Sequence, residues 1–171
     1  MADSKGDAIM GGHFATNSLE NPLWKYACQV YSQQGVEAAL LELQDEHGAD
    51  INLILQALWL AGEGKQWSRE RIAKDYDKWM KDQVFPLRQI RRGMKVEWAN
   101  QEDFRLQVKK LELKAEQIAL WMLFVSSDNV NKQEEGPVIS NSTLDLRLNL
   151  TLVAEYLEIP QENFQQLISI I

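Results

Sequence analysis

The stretch LQDEHGADINLILQALW, residues 43–59, gathers Asp45, Glu46, His47 and Asp50 directly before an apolar run. Carboxylates beside a histidine are the raw material of metal binding or proton transfer. The spacing argues against both. A carboxylate-bridged two-metal centre in a helical bundle needs Glu-x-x-His on each of two helices, and the position three before His47 is Gln44. A mononuclear site needs more imidazole or thiolate ligands, yet the chain holds only His13, His47 and Cys28. Asp45 and Glu46 are sequence neighbours and so point about 100° apart on a helix. The pattern fits a corner between two helices. His47 lies in a last turn, where a cation meets the negative end of the helix dipole, Gly48 terminates that helix, and Asp50 caps the next one. Asp75, Asp77 and Asp82 lack the one-turn spacing of a magnesium–diphosphate site, and there is no glycine-rich phosphate loop or nucleophile elbow. The sequence implies no catalytic residue, metal or cofactor.

Two other constellations are candidates for binding. In PLRQIRRGMK, Arg88, Arg91, Arg92 and Lys95 stand at i, i+3, i+4 and i+7, one face of a helix, with Leu87, Ile90 and Met94 on the other. Such a face can contact an anion or an acidic partner, since guanidinium forks bind carboxylates bidentately. It can equally pair with the protein's own acids, among them those of the Asp45–Asp50 corner. Asn52 and Gln56, one turn apart in an otherwise apolar helix, either hydrogen-bond within the core or line a pocket. Cys28 sits in an apolar helix and reads as packing. The six tryptophans read as core, with Trp67 and Trp98 in loop-like contexts that suit contact residues.

These residues are carried by helices. Asn21-Pro22 starts one that runs to about Gln33, a second spans Val36–His47, and a third, Ile51 to about Glu63, is apolar nearly all round and therefore central. A fourth covers about 69–84, Pro86 is expected to break or kink it, and a fifth covers about 87–96. After an expected cap at Asn100, a long helix reaches about Ser126, its seam traced by Phe104, Val108, Leu111, Ala115, Ile118, Met122 and Val125. Residues 127–142 read as an exposed loop. The leucines of TLDLRLNLTLVAEYL alternate like a strand, but the Ser142/Asp145 cap and leucine's helix propensity favour a helix. Pro160 opens a short last one. The expected fold is all-α, a compact bundle of about seven or eight helices around one largely buried helix. It forms a single domain over residues 21–171 after a disordered tail, 1–20.

Composition narrows the partners. A net charge of −7 argues against a general nucleic-acid binder. The run from Ile51 to Ala61 is too short to span a bilayer, and residues 1–20 lack a secretory pattern. With one cysteine, a reducing, cytoplasmic setting is expected.

The block WKYACQVYSQQGVEAALLELQDEHGADINLILQALWLA, followed by W…VFPLRQIRR and an ELKAE segment, resembles a small family of uncharacterised bacterial proteins. The resemblance covers about residues 22–125, with a fainter echo in LNLTLVAEYL, and LQDEHGADINLIL is its most specific motif. It implies a compact helical protein and supplies no catalytic residue.

Two functional readings follow from the residues. The first is a non-enzymatic interaction module that binds another protein or itself through the Arg88–Lys95 face. The second is a protein for a small molecule or anion, conceivably an enzyme, with its pocket between the 51–63 and 87–96 helices. A deep cavity reaching Asn52 or Gln56 and open to Arg88 favours the second reading.

Overall fold

In the computed structural model, residues 19–131 and 142–171 are described, so most of the expected tail and residues 132–141 of the expected loop lie outside. The described residues are helical, with no strand among them. Helix α1 (Pro22–Tyr31) is capped by Asn21, whose side chain accepts the Trp24 N–H at 3.0 Å. Helix α2 (Val36–His47) ends at Gly48, which adopts the left-handed conformation, φ 68°. A side chain is strained there, and glycine is not. Its N–H returns to the Gln44 carbonyl, and the Ala49 N–H to that of Leu43, closing the orphan carbonyls of the last turn.

Helix α3 (Ile51–Gly62) is the axis of the fold. Every residue from Ile51 to Ala61 is buried, and α1, α2, α6 (Glu102–Asn131) and α7 (Ser142–Tyr156) all pack on it. An apolar helix of this kind can only be satisfied from all sides. The leucine-alternating segment is α7, so the helix stripe prevailed over the strand pattern. Beyond it, a 3₁₀ turn (Gln161–Phe164) leads into α8 (Gln165–Ile170), which closes against α2.

The structure departs from the sequence expectations between residues 69 and 97. The expected fourth helix is a 3₁₀ turn (Arg69–Arg71), then a short α4 (Tyr76–Trp79) that continues through a π-helical turn (Met80–Val84) into α5 (Phe85–Glu97). Pro86 does not break the chain of helical residues. It lacks an N–H for the preceding turn, and the wider π turn directly before it accommodates that loss. At the other end of the hairpin, α6 starts at Glu102 and continues past Ser126 to Asn131, so the first residues of the expected loop are helical. Its seam is only half covered. Val108 and Ala115 are buried and Ile118, Met122 and Val125 partly so, but Phe104 (60% exposed) and Leu111 (59%) lie open.

Candidate functional site

A cleft of about 700 Å³ opens between the α1–α2 side of the core, the start of α3 and the hairpin of α5 and α6. Its walls are apolar on one side, with Trp24, Leu41, Ile51, Leu55 and Leu120, and ionic on the other, with Arg88, Arg91, Glu112 and Glu116. That size and that mix of apolar wall with a few placed polar groups are typical of small-ligand sites.

Asp50 lies half-buried on the cleft wall, at the start of α3. It caps α3, its Oδ1 accepting the Asn52 N–H at 3.0 Å, and both its oxygens face the Tyr76 hydroxyl at 2.9 and 3.0 Å. Tyr76 is itself fully buried on α4. Enclosure pushes the Asp50 carboxyl above its ordinary value, although Tyr76, two backbone N–H groups and the nearby Arg88 charge act in the other direction. Beside it, the Asn52 amide is nearly buried and donates to a weak acceptor, the Met80 Sδ, at 3.8 Å.

The arginine face is turned inward. Arg91 forms a two-pronged contact with Glu112, whose carboxylate also receives Arg88 Nε, and Arg88 Nη2 reaches Glu116 at 2.7 Å. The Glu112 side chain is only 6% exposed, so its charge is tolerable because two guanidiniums hold it. Burial pushes the Glu116 carboxyl up despite Arg88. At the rim, Arg92 bonds Asp45 at 2.6 Å in an exposed pair. Lys95 is exposed on α5 and does not line the cleft.

Of the six candidate binding residues, then, Asn52, Arg88, Arg91 and Arg92 meet in one cleft, while Lys95 stays on the surface and Gln56 faces away from it. Gln56 is fully buried. Its amide nitrogen donates to the Arg71 carbonyl (3.0 Å) and Ser127 Oγ (2.9 Å), and its oxygen accepts Trp67 Nε1–H (2.9 Å). Trp67 is thereby core and stacks near Tyr156, whereas Trp98 is 59% exposed. The corner residues also separate. Asp50 enters the cleft, Glu46 is exposed, and His47 Nδ1 faces the Asn163 amide at 3.4 Å on the α2–α8 side. No group of His, Cys, Asp and Glu side chains suited to a metal ion occurs among the described residues. Cys28 is not packed in the core. It is exposed at the cleft margin, and partial desolvation together with the Glu20 charge pushes its thiol above the ordinary value.

Sequence reasoning missed Glu112, Glu116 and Tyr76 as site residues. The glutamates stand at i and i+4, complementary to arginines at i and i+3, so matching charged faces between helices could have found them. The Tyr76 hydroxyl carried no such signal.

A family model described as Protein of unknown function (DUF2390) matches residues 22–123. That span contains every residue of the cleft. Neither a curated protein nor a solved structure matches the chain.

Proposed function

The chain belongs to that family of proteins of unknown function, and we propose that it acts by binding a small organic ligand in the cleft beneath α5. What carries the reading is a cleft of about 700 Å³ that reaches Asn52 and opens past Arg88. A cavity of this size in a well-packed bundle leaves apolar wall unpaired, which a ligand body would cover. The arginine face supports this reading better than it supports a docking patch, because Arg88 and Arg91 are spent on Glu112 and Glu116. The lone thiol suits a reducing, cytoplasmic setting. No helix among the described residues is long and apolar enough to cross a membrane.

The test is native mass spectrometry of the purified protein, followed by a thermal-shift screen of small metabolites. Leu41→Trp and Leu113→Trp fill the cleft from exposed positions, so the fold should survive while any ligand-induced shift disappears. Shifts that persist in both variants would place binding elsewhere.

A second reading, self-association, draws on the α5–α6 hairpin. Trp98, Phe104 and Leu111 are exposed there, and residues 85–114 carry eight basic and four acidic side chains in a chain of net charge −7. A second copy would offer the complementary acidic surface. Sedimentation velocity over a wide concentration range decides it: a monomer throughout rules it out, and a dimer lost in Trp98→Ser/Phe104→Ser supports it.

A further inference from the structure

The walls of the cleft differ in how far their charges are already satisfied. Glu112 and Glu116 are held by Arg88 and Arg91, and Arg92 is held by Asp45. Glu37 and Lys109 are exposed at the rim, where water solvates them. Asp50, half-buried at the start of α3, also has no cation bonded to it among the described residues, and unlike Glu37 it is not open to water on all sides. Its donors are the Tyr76 hydroxyl and the backbone N–H groups of Asn52 and Leu53, all neutral. The Arg88 charge is felt there, but its Nε and Nη2 groups are directed at Glu112 and Glu116. A carboxylate offers about four acceptor positions, and the Tyr76 hydroxyl with the two backbone N–H groups takes three of them. Asp50 therefore keeps accepting capacity, and beside it on the cleft wall stands the Asn52 amide, which has the Met80 thioether and the Tyr76 hydroxyl as partners.

We propose that the ligand of this cleft carries a protonated amine, received by Asp50, on an apolar body that lies along Ile51, Leu55, Met80 and Leu120. The assignment rests on the cleft being a ligand site. An ammonium supplies the positive charge and donors that Asp50 lacks, and a charge-assisted bond in an enclosed place is worth more than a neutral one. A carboxylate or phosphate ligand fits less well, because it would have to compete with Glu112 and Glu116 for Arg88 and Arg91 while facing the uncompensated Asp50. The aromatic ring of Trp24 on the wall adds a face that favours cations.

Three probes of the same body separate the possibilities: n-hexylamine, n-hexanol and n-hexanoate, measured at neutral pH by isothermal titration calorimetry and by saturation-transfer NMR on the full chain. The expected result is that the amine binds at least tenfold more tightly than the alcohol and the carboxylate. Asp50→Asn should weaken the amine at least tenfold and leave the alcohol unchanged. Asparagine caps helices about as well as aspartate, so this variant keeps the start of α3. If it nevertheless unfolds, Tyr76→Phe is the second measure: it takes a neutral partner from Asp50 and should hold or tighten amine binding. A loss of amine binding in Tyr76→Phe, or equal amine binding by Asp50→Asn and the parent, would overturn the assignment. Hexanoate binding best would sink the amine and leave the cleft reading standing. If none of the three binds and the cleft-filling variants behave as the parent in the metabolite screen, both readings fall.

Discussion

Replacing Gln56 with leucine probes the polar knot behind α3 without entering the cleft. The side chains are similar in size, so the perturbation is chiefly the loss of hydrogen bonding. In the folded protein the Gln56 amide joins three pieces of chain: the 66–71 segment through Trp67 and the Arg71 carbonyl, α6 through Ser127, and α3 itself. Leucine leaves the Trp67 Nε1–H without its acceptor and the Arg71 carbonyl without that donor, both in the interior. Ser127 is less affected, since its hydroxyl still donates to the Leu123 carbonyl at 2.8 Å. An unpaired buried polar group costs about 1–3 kcal/mol, and the Trp67 indole N–H becomes one, so the expected loss is about 1–3 kcal/mol. Against a typical total of about 5–15 kcal/mol this is a large fraction. Urea unfolding followed by tryptophan fluorescence and far-ultraviolet circular dichroism measures it. A loss below about 1 kcal/mol with an unchanged slope would refute the reasoning, because it would mean the knot contributes only packing. Combining the change with Ser127→Ala should give a coupling of at least about 0.5 kcal/mol, since the two side chains touch. Ligand affinity in the cleft should be unaffected as long as the variant is folded.

Other perturbations have definite expected outcomes. Gly48→Ala meets no neighbour but places a side chain at φ 68°, so chemical denaturation should show a loss of about 1–2 kcal/mol from backbone conformation alone. Glu112→Ala leaves Arg91 without its partner in a half-buried place and should cost about 2 kcal/mol, whereas Asp45→Ala, which frees the exposed Arg92, should cost less than about 1 kcal/mol. Equal losses in the two variants would contradict the inward-facing network. The Asp50 carboxyl is raised from its ordinary 3.8, so the folded state holds this proton more tightly than the unfolded chain. Its contribution is complete below about pH 3.8 and is lost as pH rises through the folded value. The stability of Asp50→Asn relative to the parent should therefore increase from pH 4 to 7. Parallel urea midpoints across that range would show that Asp50 does not titrate abnormally.

The helical class, the buried α3 and the Gly48–Asp50 corner were legible because each rests on local chemistry: apolar residues on every side of one helix, a terminator and a cap. The continuity through Pro86 was not legible. A proline's missing N–H is a local fact, but the π turn that accommodates it depends on packing of 80–84 against α6. The long seam was read as packed against other helices, yet whether Phe104 and Leu111 are covered depends on which helix lies opposite, and periodicity is silent on that. The same limit applied to the basic face. Its residues were correctly grouped on one side of a helix, and their partners proved to be Glu112 and Glu116 on α6, with the Asp45–Asp50 corner supplying only Asp45 to Arg92. Asn149 passed unnoticed in LNLTL, although its amide secures the Ala57 and Lys65 carbonyls and its oxygen accepts the Trp67 N–H.

The corner lends the candidate site one of its charged residues, Asp50. A capping carboxylate is ordinarily exposed, because most helices start at the surface, and its charge is then solvated by water. Helix α3 starts beside the cleft, with Ala49 and Ile51 buried and Asp50 half-buried, so the carboxylate that its first turn requires is partly enclosed with it. Tyr76 supplies a hydroxyl to that carboxylate, and no arginine reaches it, since Arg88 is occupied one helix away. The corner motif could be read from the sequence, but the cleft that its Asp50 faces could not, because the cleft walls come from helices distant in the chain. An aspartate held in this way, facing a cleft with an apolar wall, is the feature by which this fold would distinguish a cationic ligand from a neutral one.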